Sequence, residues 1–392
     1  MAKINVETYV KNLKSLDKEV LVNIYKYRCV NKNILLRYFY EPAGKNKEYV
    51  EYKIRTFDKH GLLQFSTYEN GKRAIFLTAQ AVNALKTMVS LPEELFDFYN
   101  KRTAVGLYSA AELKIKEKLL LHQLTLVDFS LALQKEVLEK VPTAFYNDKY
   151  SVIKYVDLHP DGIICAPDVD LLLENDMGTE RRKDLDLKWT LYSQYIHSGD
   201  FTKKDAEVCV LFVLQNKNPQ VRKKLVLDTL GGALWSEIGK SIEIFIGDPF
   251  DIKAATYSYI KPKYINKKID ILNLSDPLRE EGFLTYKGER FKESTSGETF
   301  DLYVKNDSEE YFMDYYIGSP VSVLKKVSIL NNIKGKYKAD TGREFKYIIL
   351  TEDIPRLKED LRNIGEKDIQ NVFIAKPSKV IRKSLKEAMI PL

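Results

Sequence analysis

Beyond residue 160 the chain alternates short apolar runs with amphipathic stretches, and this alternation limits the fold more than any other feature. Residues 208–214 and 242–246 are apolar but for Glu243 and read as buried strands. Helices are expected at about 181–196, where Leu185, Trp189, Tyr192 and Ile196 share one face, and at 221–230. Ahead of them lie strands at 152–158, 162–165 and 169–174, and a Leu-, Lys- and Glu-rich helical stretch at 110–140. Helix, three strands, then alternating helix and strand gives an α/β sandwich in which an antiparallel group leads into parallel crossovers.

The amino-terminal quarter has another grammar. Leu16, Val20, Leu21 and Ile24 keep helical spacing, and 30–39 is a second helix with Asn31 as its N-cap. A loop at 41–47 with Pro42 and Gly44 precedes a third helix at 48–60. Two short apolar segments then flank Asn70-Gly71, a hairpin signal. Three helices and a hairpin are the order of a winged helix-turn-helix. In that fold the third helix enters the major groove, so Tyr49, Tyr52, Lys53, Arg55, Thr56 and Lys59 are candidates to face DNA. Lys72 and Arg73 fall where the wing meets phosphate, and Ile54 and Phe57 are assigned to the core.

Charge agrees with that reading. Residues 1–90 hold 16 Lys and Arg against 8 Asp and Glu, which leaves 46 against 47 for the rest of the chain. A basic module on a nearly neutral body suits double-stranded DNA, and a solvated basic face is the plainer alternative. No apolar run is long enough for a membrane span, and the polar start lacks a signal-peptide core. Cys29, Cys165 and Cys209 are too scattered for a metal knuckle or a disulfide framework. A cytoplasmic protein is expected.

Acidic residues gather at the strand ends of the central region. Asp161 opens one strand; Glu174 and Asp176 close the next. Three carboxylates at one end of a sheet offer the hard oxygen donors that Mg²⁺ or Mn²⁺ prefers. Lys188, on the following helix, is placed to stabilise charge on a phosphodiester. Taken singly, each acid also reads as an ordinary turn or helix-cap residue.

These residues carry a resemblance. Leu16-Asp17, Phe76-Leu77-Thr78, His122 to Asp128, Pro160-Asp161-Gly162 and, above all, Glu174 to Glu180 with Lys188 and Tyr192 downstream resemble the replication-relaxation family. That family belongs to plasmids and conjugative elements, is related to the MobC-type mobilisation relaxases, and joins a winged helix to a PD-(D/E)xK-like nuclease core. The resemblance spans residues 1–250. It implies metal-dependent nicking of DNA at an origin of transfer or replication, alongside other transfer or replication proteins. Asp176 stands where a standard PD-(D/E)xK site has its lysine, and the resemblance moves that role to Lys188. Tyr192 or Tyr195 would be the nucleophile if the nick were covalent.

The last third resembles the second. With a shift of 140 positions, Asp161 falls on Asp301, Glu174 on Asp314 and Gly178 on Gly318, while Tyr316 replaces Asp176. Helices at 321–330 and 354–364 and strands at 347–350 and 372–375 then repeat the earlier order. The expected organisation is an α/β multi-domain chain. It has a winged helix at 1–90, a restriction-endonuclease-like α/β core at 91–265, and at 266–392 an α/β domain that is either a degenerate repeat of the core or an unrelated domain for dimerisation or partner docking. The competing function is a non-catalytic DNA-binding regulator built on the same fold. A homodimer on a palindromic site fits either.

Overall fold

The computed structural model describes residues 5–88, 96–97, 102–103, 108–150, 158–198, 201, 207–216, 218–230, 234–264, 274–286, 291–292, 298–363 and 371–392. The expected boundaries near 90 and 265, the connector at Pro92 and most of the strand expected at 152–158 lie outside these residues. The fold is mixed α/β with several sheets, and contacts divide the chain into two compact units, Met1–Asn175 and Asp176–Leu392.

The first unit opens with α1 (Val6–Lys11), α2 (Ser15–Tyr27), α3 (Lys32–Leu35) and α4 (Lys47–Lys59). Two asparagines set the starts of the last two helices. Asn31 Oδ1 accepts from Ile34 N (2.9 Å) and Asn46 Oδ1 from Tyr49 N (3.1 Å), each satisfying an amide that has no partner inside its helix. A π-helical turn, Leu36–Tyr40, continues α3 and buries Tyr38, Phe39 and Tyr40. Strands β1 (Leu63–Tyr68) and β2 (Lys72–Leu77) pair antiparallel, with Asn70 and Gly71 at positive φ (54° and 74°) in the turn. Helix α5 (Ala79–Met88) follows.

The stretch expected as helix at 110–140 holds a short helix, Ala110–Leu113, then α6 (Leu120–Ala132) and a second π turn, Leu133–Val137. Three antiparallel strands complete the unit: β3 (Ala144–Asn147), β4 (Gly162–Ala166) and β5 (Val169–Asp176), whose last residue belongs to the second unit. The helices at the amino terminus are built into this unit. Tyr27 stacks on Phe145 (4.4 Å between centroids), Gln123 Nε2 donates to Tyr27 O (3.2 Å), Asn147 Nδ2 donates to Lys26 O (2.8 Å), and Arg28 pairs with Asp148.

The second unit continues with α7 (Arg182–Ile196), β6 (Glu207–Leu214), α8 (Pro219–Leu230), β7 (Ile242–Gly247) and α9 (Pro249–Tyr264). Strands β6 and β7 are parallel and almost wholly buried, as expected of runs that are apolar but for Glu207 and Glu243. A six-stranded sheet follows, in the spatial order β8 (Leu284–Tyr286), β9 (Leu302–Lys305), β10 (Glu310–Tyr315), β11 (Lys346–Leu350), β12 (Val372–Ala375), β13 (Met389–Pro391). Helices α10 (Val321–Thr341) and α11 (Ile354–Asn363) make the crossovers between its parallel strands.

Candidate functional site

On α4, Val50 and Phe57 are buried, and the opposite face is solvated because Tyr52, Arg55 and Lys59 recur at three- and four-residue spacing. Tyr52 is 57% exposed, high for so large a ring. Tyr49 and Thr56 flank the stripe half-buried, and Thr56 Oγ1 donates to Tyr52 O (2.8 Å). At the turn end of the hairpin Lys72 and Arg73 are exposed, the Arg73 guanidinium lying 4.8 Å from the Phe65 ring centroid.

Lys53 departs from the expectation. Its Nζ donates to Asp17 Oδ2 (2.5 Å), deep against α2, and Asp17 also accepts from the Tyr40 hydroxyl (3.2 Å). Burial by itself would lower the Lys53 pKa, but the hydrogen bond and charge of Asp17 outweigh it and raise it above the ordinary lysine value. Lys53 holds α4 to α2 and is not part of the exposed stripe.

The carboxylates are engaged within the protein. Asp161 precedes β4, and its Oδ2 accepts from Asn175 N (2.8 Å) and lies 3.3 Å from His122 Nε2. The Asn175 side chain donates to His122 O and Thr125 Oγ1 (2.9 Å each), so one asparagine binds the end of the β4–β5 hairpin to α6. The His122 and Asp161 side chains are 29% and 28% exposed, whereas Glu174 is buried.

Asp176 is claimed by a residue that the sequence did not single out. Arg222, near the start of α8, donates Nε to Oδ2 (2.6 Å) and Nη2 to Oδ1 (2.8 Å), and its Nη1 reaches Glu180 O (2.8 Å). Gly178 N adds a third bond, to Asp176 Oδ1 (3.0 Å). Such a two-pronged, buried guanidinium–carboxylate pair is strong and specific. Lys188 Nζ turns to Glu180 Oε1 (3.0 Å).

Two expectations therefore change. A Mg²⁺ or Mn²⁺ triad of Asp161, Glu174 and Asp176 does not fit, because both oxygens of Asp176 already hold Arg222. Among the described residues no group of three or more His, Cys, Asp or Glu is arranged to hold a metal ion. Tyr192 is fully buried, 5.7 Å from the Trp189 ring centroid, and Tyr195 is buried as well. Both are core residues of α7, not accessible nucleophiles.

No curated protein and no solved structure matches the chain. A family match does exist. It begins inside α2, ends inside β6, and is to the replication-relaxation family over residues 21–211. One continuous match takes in the basic helices, the hairpin and the acid-bearing strands, and over these residues the chain is similar to the replication-relaxation family.

Proposed function

We propose that the protein binds double-stranded DNA in the replication or transfer of a plasmid or other mobile element, through a winged helix-turn-helix formed by α2–α4 and the β1–β2 hairpin. The observation that carries this reading is the exposed Tyr52, Arg55 and Lys59 stripe, together with Lys72 and Arg73, in the segment that holds the chain's whole excess of positive charge. The α/β core serves as a non-catalytic scaffold, a role favoured by the Asp176–Arg222 pair.

The test is binding to fragments of the replicon's own origin, followed by fluorescence anisotropy across a salt series. Replacing Lys59 or Lys72 by Ala should weaken binding to every duplex and reduce the salt slope by about 1 for each lost phosphate contact. Arg55→Ala should cost about 1–3 kcal/mol and relax sequence preference if it reads a base. A triple Arg55, Lys59 and Lys72 variant that binds like wild type would sink the proposal.

Metal-dependent nicking is the second reading, supported by the partly exposed His122–Asp161 contact inside the family match. Supercoiled origin DNA with Mg²⁺ or Mn²⁺ decides between the two. Open circles made by wild type, and absent with Asp161→Ala and Glu174→Ala, would replace the scaffold reading; tight binding without strand breaks would uphold it.

A further inference from the structure

Hairpin β9–β10 reproduces hairpin β4–β5 pair for pair. Gly162, Ile163 and Ile164 face Leu173, Leu172 and Leu171; 140 residues later, Leu302, Tyr303 and Val304 face Met313, Phe312 and Tyr311. The aspartate ahead of each hairpin makes the same long-range bond. Asp161 Oδ2 accepts from Asn175 N (2.8 Å), and Asp301 Oδ2 accepts from Tyr315 N (2.9 Å). A left-handed glycine follows each, Gly178 at φ 79° and Gly318 at φ 69°.

The agreement continues along the chain. Helix α7, strand β6, helix α8 and strand β7 follow the first hairpin; α10, β11, α11 and β12 follow the second, and the strands of each set are parallel. At the end of each hairpin the backbone is tied to the end of the next strand, though in opposite senses: Gln215 N donates to Asp176 O (2.9 Å), whereas Tyr316 N donates to Leu350 O (2.8 Å). A one-residue slip would reverse every side chain, so unrelated hairpins have no reason to share both register and capping bond at one offset.

What differs is the end that carries the carboxylates. Gly178 and Thr179 are exposed, but Ser319 and Pro320 are buried against β7: Ile246 N donates to Ser319 O (3.4 Å) and Pro320 bridges to Phe245. Ser322 Oγ donates to the buried Glu243 (2.6 Å). Gly318 lies so close to α9 that an added Cβ would sit 2.2 Å from Ala255 Cβ. Asp314, at the position of Glu174, is buried and takes Lys326 Nζ (2.6 Å) and the Tyr347 hydroxyl (2.7 Å). Tyr316, at the position of Asp176, gives its hydroxyl to Asp360.

We infer that residues 298–375 are a second copy of residues 158–247, in which the loop at the carboxylate end has been converted from an exposed loop into a surface docked on β7 and α9. The second copy is a structural lobe and not a second site.

Hydrogen exchange of the full chain, read by mass spectrometry with residue-level fragmentation, tests both parts. In wild type, the amides of Ser319, Val321 and Ser322 should exchange at least about 100-fold more slowly than that of the exposed Thr179, as docked and solvated backbone differ. Asp161→Ala should deprotect the Asn175 amide, and Asp301→Ala the Tyr315 amide, each by about tenfold, the scale of one hydrogen bond. Equal exchange in the two loops, or an unchanged Tyr315 amide beside a deprotected Asn175, would overturn the inference. The paired Phe245→Cys, Pro320→Cys variant gives a reading independent of the aspartates. The bridged pair has disulfide-compatible spacing, so it should crosslink under mild oxidation. Failure to crosslink in the folded chain would remove the docking.

Discussion

Lys53 and Lys59 stand on one helix and differ in everything that burial controls. Truncating Lys53 leaves Asp17 in the interior without its cation, so Lys53→Ala should cost about 3 kcal/mol in urea unfolding. Lys59→Ala should leave the unfolding midpoint nearly unchanged and lower DNA affinity. Helical period placed both near the outer face; it carries no information about a partner 36 residues away in sequence. The same limit hid Arg222, a lone arginine on a helix whose value comes wholly from Asp176 across the fold.

Lys223 supplies a pH test. Burial pulls its pKa from 10.5 down to about 8, against the attraction of Asp360, with Arg356, Asp251 and Tyr316 also at hand. The native state thus binds fewer protons than the unfolded chain between pH 8 and 10.5, and this group makes stability rise with pH there, by up to about 3 kcal/mol. Cys29 works in the opposite sense above pH 9, since burial lifts its pKa to about 12 and the unfolded thiol ionises first. The readout is therefore the difference between wild type and Lys223→Met in urea midpoints from pH 7.5 to 10. The wild type should gain on the variant across that range, and a constant gap would contradict the assignment.

At the scale of elements, caps and periodicity carried most of the amino-terminal order. Asn31 caps where expected, α4 starts within a residue of the expected position, and Asn70-Gly71 turns the hairpin with both residues left-handed. Asn46→Ala should cost about 1 kcal/mol by freeing the Tyr49 amide, measurable as a lowered unfolding midpoint. Gly71→Val should cost a similar amount through its φ of 74°, although no atom stands in the way of the new side chain. The strand Ala144–Asn147 escaped notice for a physical reason. Four residues are too few to show alternation, and buried Asn147 looks like a turn residue until its amide is seen to satisfy Lys26 O. The π turns were equally silent, because an i+5 bond leaves no separate mark on apolar spacing.

At the scale of the whole molecule, charge and contacts divide the chain differently. Charge marks off residues 1–90, yet contacts carry the first unit through Asn175, since the buried faces of Tyr27 and Arg28 are completed by residues 113–148. A fragment of residues 5–88 should accordingly lack a cooperative thermal transition, which circular dichroism would check. The inferred repeat rests on acids and glycines at a fixed offset, which reflect backbone geometry more than the chemistry of the side chains around it. The carboxylates misled for the converse reason: sequence shows which charges exist and not which are already paired.

The lattice of bonds from Lys26, Tyr27 and Arg28 to Gln123, Phe145, Asn147 and Asp148 fixes α4 and the β4–β5 hairpin in one body. If α4 holds a duplex, as proposed, that hairpin meets it like work in a vice, at one angle and one distance. Whatever happens at a second point on the DNA inherits the pitch of the double helix. Inserting half a turn of base pairs between the two points should abolish the effect, and inserting a whole turn should partly restore it.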